Sequence, residues 1–210
     1  MTVVEHPAYS HSWIYHLEGK ALWNAYHKQA SVIMNRLDSK SEILEVGKGS
    51  GFLERFLESK GYHITTIDID SNKKPDIVSD IRYFCLQEKA HFDAVSCFEV
   101  LEHLDFKHFH TLLQRFKKIS RKFIFLSLPF YNPNLWYLIL KVPFFNEITL
   151  TMPIPRKAYN KSMSRYHKWE INYESITMKT IRKQISQAGL TIDKSETLKP
   201  YRLHFFTLLV

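Results

Sequence analysis

A glycine-rich turn between Ile43 and Gly51 constrains the fold of this chain more than any other feature. The segment reads Ile-Leu-Glu-Val-Gly-Lys-Gly-Ser-Gly, and Gly47, Gly49 and Gly51 are half of the 6 glycines in 210 residues. Glycine tolerates positive φ and lets a ligand approach the backbone closely. A tight turn into a helix also presents unpaired N–H groups. The spacing therefore predicts a strand, a nucleotide-binding loop and a helix, in that order.

The spacing of the glycines separates this turn from two common nucleotide-binding loops. A dinucleotide-binding loop requires Gly-x-Gly-x-x-Gly, but Phe52 stands where its third glycine would lie. A P-loop requires Lys followed by Ser or Thr after its last glycine, and no such pair follows Gly51. The pattern that remains begins with an acidic residue and reads Glu45-x-Gly-x-Gly-x-Gly.

Strand and helix patterns alternate along the rest of the chain. Residues 52–60 have the spacing of a short amphipathic helix, and a last helix is expected near residues 175–188. Strands after the turn are predicted at residues 63–69, 92–98, 123–128, 191–197 and 204–210, and residues 76–81 are predicted to hold the third strand and its exit. This alternation predicts an α/β fold with a largely parallel, doubly wound sheet. The length suits one domain that spans residues 1–210.

Two motifs resemble those of the class I S-adenosylmethionine (SAM)-dependent methyltransferases. The acidic residue and glycines of the turn resemble the first motif of that family. Residues 92–104 read F-D-x-V-x-x-x-E-V-L-E-H-L, a string common in its small-molecule members, including those of quinone biosynthesis. The resemblance covers residues 40–130 by motif and 175–210 by architecture. It implies a SAM-dependent enzyme with a Rossmann-like, seven-stranded sheet that is mostly parallel and has an antiparallel last strand.

The resemblance also implies which residues bind the cofactor. Asp68, at the end of the second strand, is implied to accept the ribose hydroxyls, with Asp70 as the alternative. Asp80 is implied to accept the adenine amino group, and Glu99 to contact the methionine half. Lys48 is expected to project outward from the turn. The implied cofactor-binding residues are Glu45, Gly47, Gly49, Gly51, Asp68, Ile69, Asp80, Ile81 and Glu99.

Candidate catalytic groups follow the fourth strand, where Glu102 and His103 lie, and a distant histidine, His167, joins them as a candidate. A hydroxyl or amine acceptor benefits from a general base, and these side chains supply candidates. Together with Glu99, they also resemble the Mg²⁺ site of small-RNA 2′-O-methyltransferases, in which the metal lowers the pKa of the acceptor hydroxyl. Three alternatives stay open: a divalent metal held by Glu99, Glu102, His103 and His167, a metal-free histidine base, or catalysis by proximity with structural histidines.

Two regions outside the core pattern are expected to shape the acceptor site. Residues 10–37 are predicted to form one or two amphipathic helices within a lid at residues 1–40, although their aromatic residues could simply pack on the sheet. Residues 129–168, inserted after the fifth strand, are predicted as a substrate cap or as an irregular extension that shields the sheet. The aromatic residues concerned are Trp13, Tyr15, Trp23 and Tyr26 in the first region and Phe130, Tyr131, Trp136, Tyr137, Phe144 and Phe145 in the second.

The net charge of +8 brings acidic partners into consideration. Lys and Arg cluster at residues 115–122, a helix end, and across residues 156–168, within the predicted cap. The second cluster could meet nucleic acid, anionic lipid headgroups at a peripheral membrane contact, or an acidic small molecule. No recognisable nucleic-acid-binding module accompanies it. A small-molecule acceptor is therefore preferred.

The remaining features indicate the cellular compartment and the type of methyl acceptor. Two cysteines without a Cys-x-x-Cys pair, no signal peptide pattern and no stretch long enough to span a bilayer favour a cytoplasmic protein. Ser127-Leu128-Pro129-Phe130 differs from the Asn/Asp-Pro-Pro-Tyr/Phe of methyltransferases that act on adenine or glutamine amide nitrogens. The preferred function is O-methylation of a small apolar or aromatic acceptor. The alternatives are an RNA 2′-O-methyltransferase and a SAM- or S-adenosylhomocysteine-binding module without turnover.

Overall fold

A twisted sheet of seven strands, in the order β3-β2-β1-β4-β5-β9-β8, forms the centre of the computed structural model. The structure describes residues 19–84, 92–131, 134–141, 148–153, 166–199 and 201–210. The strands of this sheet are β1 (Glu42–Val46), β2 (His63–Asp68), β3 (Ile77–Val78), β4 (Phe92–Phe98), β5 (Ser120–Pro129), β8 (Thr191–Leu198) and β9 (Leu203–Leu209). The main helices are α1 (Lys20–Met34), α2 (Phe52–Glu58), α3 (Phe109–Ile119) and α4 (Met178–Gln187).

The pairing of the strands confirms the predicted fold class. Strand β1 pairs in parallel with β2 and β4, and β4 pairs in parallel with β5. Strand β9 is antiparallel to both of its neighbours, β5 and β8. The sheet is therefore Rossmann-like, with one antiparallel strand inserted between β5 and β8, and the carboxyl ends of β1, β2, β4 and β5 share one edge.

The side chains of the central strands alternate between two apolar layers. On one face, Leu44 and Val46 of β1 pack with Ile124 and Leu126 of β5 in the cluster that includes the buried residues of α3 and α4. On the other face, Ile43 of β1 joins the cluster that contains buried residues of α1 and α2. Because successive side chains of a strand point to opposite faces, an apolar run is buried on both sides. This burial fixes the register of β1, since a shift of one residue would exchange the two faces.

Strand β3 is Ile77–Val78, within residues 76–81, where the sequence predicts the third strand and its exit. Asp76 precedes it and uses its carboxylate to accept hydrogen bonds from the Thr66 amide and hydroxyl, both at 2.7 Å. Its own amide donates to the Thr66 hydroxyl at 3.0 Å. These bonds join Asp76 to β2 immediately before β3 begins.

A separate two-stranded hairpin occupies the insertion after β5. It consists of β6 (Asn134–Leu140) and β7 (Ile148–Pro153), paired antiparallel and outside the main sheet. The insertion leaves and rejoins the sheet at one place, because the Tyr131 amide donates to the Ile171 carbonyl and the Ile171 amide donates to the Pro129 carbonyl. No helix among the described residues is long and apolar enough to cross a membrane.

His204 joins the last two strands through both of its ring nitrogens. Its Nε2 lies 2.8 Å from the Ser195 hydroxyl, and its Nδ1 lies 2.8 Å from the Thr197 hydroxyl. Burial, and next the charge of Arg182, lower the pKa of His204 to about 4. The imidazole is therefore neutral near pH 7 and resists protonation in the folded chain.

We expect acid to destabilise the fold through His204. Between the ordinary pKa of 6.5 and about 4, the unfolded chain binds a proton that the folded chain excludes. This contribution is fully present above pH 6.5 and falls by up to about 3 kcal/mol as the pH drops toward 4. Urea unfolding at about pH 7 and about pH 4.5 should show a smaller loss of stability for His204→Gln than for wild type. Equal losses in the two proteins would contradict this role for His204.

Candidate active site

The glycine turn has the backbone conformation that its sequence predicts. Gly47 (φ 84°), Gly49 (φ 55°) and Gly51 (φ 70°) all have positive φ, and Gly51 precedes the first residue of α2. A Cβ atom at Gly47 would lie 2.4 Å from Val100 Cγ2, so Gly47 is required by packing as well as by φ. A Cβ atom at Gly49 would meet nothing within 4 Å. The open space beside Gly49 is where a ligand can approach the turn.

Lys48 lies against the protein instead of projecting outward as expected. Its Nζ donates to Glu54 Oε1 at 2.8 Å and to the Lys74 carbonyl at 3.0 Å. The charge pair is largely shielded, with 13% and 12% of the two side chains exposed. Lys48 therefore ties the glycine turn both to α2 and to the loop that precedes β3.

Glu45, the acidic residue that opens the motif, is buried near the end of β1, just before the glycines. Its Oε2 has no hydrogen-bond partner among the described residues. Burial, together with the nearby Glu54 and Asp68 carboxylates, raises the pKa of Glu45 to about 8. A buried carboxyl without a partner lowers stability, so this position is better explained by a ligand than by the fold.

The carboxylates of Asp68 and Asp70, at the end of β2, contact different partners. Asp68 is buried and pairs with Lys73 Nζ at 3.0 Å, and it also accepts the Asp70 amide at 2.9 Å. Asp70 caps the short turn Ser71–Lys73 by accepting the Asn72 amide at 2.9 Å. A carboxylate has about four lone-pair sites, so Asp68 keeps acceptor capacity beside Lys73. This difference favours Asp68 over Asp70 as the residue directed at a ligand.

Asp80 and Ile81 follow β3, near the end of β2. The Asp80 carboxylate accepts the Arg82 amide at 2.8 Å and the Arg82 Nε at 3.0 Å. Burial opposes ionisation of Asp80, but the hydrogen bonds and charge of Arg82 outweigh it and lower the pKa of the carboxyl. Ile81 is buried, while Ile69, beside Asp68, is half-buried. An adenine amino group at Asp80 would share the carboxylate with Arg82.

Glu99 has a strained backbone at the carboxyl end of β4. Its φ is 54°, a left-handed conformation that glutamate rarely adopts. Its amide donates to the Ser127 carbonyl at 3.2 Å, and the Ser127 hydroxyl donates to Glu99 Oε1 at 2.8 Å. Burial raises the pKa of Glu99 to about 7, although the Ser127 hydrogen bond acts in the opposite direction. Such strain persists where surrounding bonds hold it, and it is common at functional sites.

Glu102, His103 and His167 come together beyond β4, and one ligand atom from each lies within 4.8 Å of the others. Glu102 is fully buried, and neither of its carboxylate oxygens has a hydrogen-bond partner among the described residues. Burial and the charge of Glu99 raise the pKa of the Glu102 carboxyl. The two imidazole centroids are 5.3 Å apart. A buried, unpartnered carboxyl beside two imidazoles matches the donors that a divalent cation binds.

Each histidine of this cluster is oriented by an oxygen acceptor. His167 Nδ1 lies 2.8 Å from Glu170 Oε1, which assigns the proton to Nδ1 and the lone pair to Nε2. His103 Nδ1 lies 2.9 Å from the Tyr166 carbonyl. Burial lowers the pKa of His103, against hydrogen bonds to the Tyr166 and Glu99 backbones that favour the charged ring. Sequence reasoning gave no positioning role to Ser127 or to the Tyr166 carbonyl, which hold Glu99 and His103 in place.

The segment that carries His167 packs firmly onto the end of β4. The Lys168 amide donates to the Glu102 carbonyl at 2.8 Å, and Trp169 Nε1 donates to the Leu104 carbonyl at 3.0 Å. The Trp169 ring is buried edge-on against Phe106 and Phe109, with centroids 5.0 and 5.5 Å apart. The packing of Trp169 on the core therefore places His167 beside Glu102.

Helix α1 covers part of the glycine turn. The Tyr26 hydroxyl lies 3.0 Å from the Ser50 hydroxyl, and the Tyr26 ring stacks on Phe52 at 4.7 Å. Trp23 meets Phe52 edge-on at 5.0 Å and stays 48% exposed. Trp13 and Tyr15 of the predicted lid lie outside the described residues. The described aromatic residues thus pack on the turn and on α2, at the border of the site.

Comparisons with known proteins agree with this geometry. The family model described as a methyltransferase domain matches residues 19–195. No curated protein matches the chain by sequence. A SAM-dependent methyltransferase from Mesorhizobium loti is 13% identical and superposes with a TM-score of 0.60, over 92% of this chain and 99% of that chain.

Two further solved structures contain ligands. The 1,6-didemethyltoxoflavin-N1-methyltransferase of Burkholderia thailandensis, with 1,6-didemethyltoxoflavin and S-adenosylhomocysteine bound, is 14% identical, with a TM-score of 0.60 over 93% of this chain and 83% of that chain. Magnesium protoporphyrin IX methyltransferase of Synechocystis PCC 6803, with SAM bound, is 13% identical, with a TM-score of 0.51 over 95% of this chain and 78% of that chain. At these identities the likeness concerns the fold.

The family match extends from α1 into β8. It includes the glycine turn and the acidic cluster, which consists of Glu99, Glu102, His103 and His167. The fold of the chain also superposes on that of the Mesorhizobium loti methyltransferase over nearly its whole length. On this evidence, the chain belongs to the SAM-dependent methyltransferases of the class I fold.

Proposed function

We propose that this chain transfers the methyl group of SAM to an oxygen atom of a small, apolar or aromatic acceptor. The observation that carries the proposal is the contact between the glycine turn and the acidic cluster. Val100, which lies between Glu99 and Glu102, packs so closely on Gly47 that a Cβ atom there would overlap with it. A cofactor held by the turn would therefore lie beside the two glutamates and the two histidines.

The cofactor site in this proposal follows the edge of the sheet. The open space at Gly49 admits the cofactor, Asp68 accepts its ribose hydroxyls, and Asp80 with Ile81 borders the adenine. Ile69 lines the same edge beside Asp68. Glu45 and Glu99 supply negative charge for the cationic methionine half. Cation binding would lower the free energy of ionised Glu45, whose pKa is about 8 without it.

His167 is the better candidate for the general base. Its Nδ1–H is directed at Glu170, so its Nε2 can accept the proton of an acceptor hydroxyl. The Glu170 carboxylate would then stabilise the imidazolium that forms. As the acceptor oxygen attacks the methyl carbon, the carbon–sulfur bond breaks and S-adenosylhomocysteine leaves. His103 is the second candidate, because its ring is already engaged by the Tyr166 and Glu99 backbones.

The same cluster fits a divalent cation, Mg²⁺ or one that favours nitrogen ligands. Glu102 would contribute a carboxylate whose oxygens have no hydrogen-bond partner among the described residues, and His103 and His167 would contribute imidazoles. Glu99 is close enough to Glu102 to raise its pKa and completes the proposed set. A bound cation would supply Lewis-acid stabilisation of the acceptor oxygen. The hydrogen bond between Glu170 and His167 Nδ1 would orient the His167 ring so that its Nε2 meets the cation.

A second candidate function is that of an RNA 2′-O-methyltransferase. It is favoured by the acidic cluster and by the basic segment at residues 156–168. Within that segment, Lys168 pairs with Asp105 at 2.9 Å. The other basic residues, Arg156, Lys157, Lys161 and Arg165, lie outside the described residues. A single-turnover assay with RNA oligonucleotides and with phenolic acceptors separates the two functions. Turnover of neither class would instead support a binding module.

The glycine turn allows a matched test of SAM binding. Gly49→Ala adds a methyl group where nothing lies within 4 Å, so we expect the fold to lose only about 1 kcal/mol from the positive φ. The same methyl group should reduce SAM affinity by about tenfold or more, because it occupies the approach to the turn. Gly47→Ala should instead unfold the turn, because its Cβ meets Val100.

Isothermal titration calorimetry with SAM and thermal unfolding measure both effects. Asp68→Ala provides an independent loss of affinity at the ribose end. Unchanged affinity in both Gly49→Ala and Asp68→Ala would reject the proposed cofactor site.

The cation site has a readout that does not depend on turnover. Addition of Mg²⁺ or Mn²⁺ should raise the thermal unfolding temperature of the wild-type chain, because the ligand binds the folded state alone. Glu102→Gln and His167→Ala should abolish that rise. Glu58→Gln, at an exposed glutamate of α2, is the control and should keep it. A rise that persists in Glu102→Gln would place the cation elsewhere, and no rise in wild type would leave His167 as a metal-free base.

A further inference from the structure

One face of the β6–β7 hairpin consists of large apolar side chains. The register places Trp136 opposite Met152, Leu138 opposite Leu150, and Leu140 opposite Ile148. Because side chains two residues apart point the same way, these three pairs share one face. Trp136 Nε1 lies 3.1 Å from Met152 Sδ, which joins the pair at one end of this face. We call these six side chains the apolar face of the hairpin.

The apolar face remains exposed to solvent within the described part of the chain. The exposed fractions are 47% for Trp136, 47% for Leu138 and 39% for Leu140 on β6. On β7 they are 46% for Ile148, 47% for Leu150 and 46% for Met152. Each strand of the hairpin packs mainly on the other strand. A contiguous exposed face of this kind marks an interaction site, whereas single exposed apolar residues do not.

Charge distinguishes the possible occupants of this face. Residues 129–168 contain six Lys or Arg and one Glu, so the insertion carries most of the net charge of +8. Lys141 directly follows β6 and is exposed. A second copy of the chain would bring like charges together at the contact, which disfavours self-association. A surface that is both apolar and anionic complements the hairpin and its flanking charge.

We propose that the apolar face of the hairpin docks on an anionic phospholipid bilayer. The six side chains enter the boundary between headgroups and acyl chains, where tryptophan is favoured. The net positive charge of residues 129–168 favours anionic over neutral headgroups, and Lys141 lies beside the hairpin. Two strands of about 20–24 Å are shorter than the hydrocarbon core of about 30 Å, and their outer edges pair with no other strand in the described part of the chain. The hairpin therefore lies at the surface and does not span the bilayer.

Docking would orient the active-site edge toward the bilayer. Strand β6 begins shortly after Pro129, the last residue of β5. Ser127, also in β5, donates a hydrogen bond to Glu99. The chain returns at Ile171, which pairs with the Pro129 carbonyl. The hairpin is thus joined to the same edge of the sheet that holds the acidic cluster. The docking inference uses only the hairpin and its charge, and it stands independently of the proposed methyl acceptor.

The test is co-sedimentation of the full chain with vesicles. We expect the wild type to bind vesicles of equal parts phosphatidylglycerol and phosphatidylcholine about tenfold more tightly than pure phosphatidylcholine. The double variant Leu138→Ser/Leu150→Ser should lose about tenfold or more of that binding. Met34→Ser/Val210→Ser removes apolar side chains of similar exposure, 38% and 40%, away from the hairpin and should bind as the wild type does.

Fluorescence adds a readout at the hairpin itself. Vesicles should shift the tryptophan emission of the wild type to shorter wavelength, and Trp136→Phe should remove most of the shift while the protein still sediments with vesicles. SAM affinity measured on every variant shows whether the fold is intact. Absence of wild-type binding, or equal binding by Leu138→Ser/Leu150→Ser, would overturn the proposal. A concentration-dependent dimer that the same variant abolishes would overturn it in favour of a second copy.

Discussion

The close contact between Val100 and Gly47 is the constraint on which the site depends. It holds the end of β4 against the turn that follows β1, so that the cofactor loop and the acidic cluster share one edge of the sheet. The parallel pairing of β1 with β4 brings the two segments to the same level, and the absence of a side chain at Gly47 lets them meet. A larger residue at Gly47 would separate the two halves of the active site.

The sheet and the backbone conformation of the glycine turn were predicted well from the sequence, because both are encoded locally. Apolar runs of β1, β4 and β5 specify buried strands, and the glycines at Gly47 and Gly49 specify a turn with positive φ. The outward direction expected for Lys48 was wrong, since its partners Glu54 and the Lys74 carbonyl are chosen by tertiary packing.

The supporting contacts of the site could not be predicted from the sequence. The Tyr166 carbonyl orients His103 across 63 residues, and a backbone carbonyl has no residue type to recognise. Glu170 lies three residues after His167, but the hydrogen bond between the two side chains depends on a distance that the sequence does not give. The hairpin was predicted only as a cap or as an irregular extension, because its register, and hence its apolar face, follows from the pairing of β6 with β7 and not from composition.

The paired backbone at Pro129, Tyr131 and Ile171 makes the insertion a replaceable part of the enzyme. Both ends of the excursion are fastened by main-chain hydrogen bonds, which do not depend on the side chains between them. The entropy of closing a loop grows only slowly with length, by about 0.6 kcal/mol for each doubling. A longer, shorter or different insertion would therefore leave the cofactor half almost unaffected. The fold can exchange one acceptor or docking surface for another without rebuilding the machinery that binds SAM.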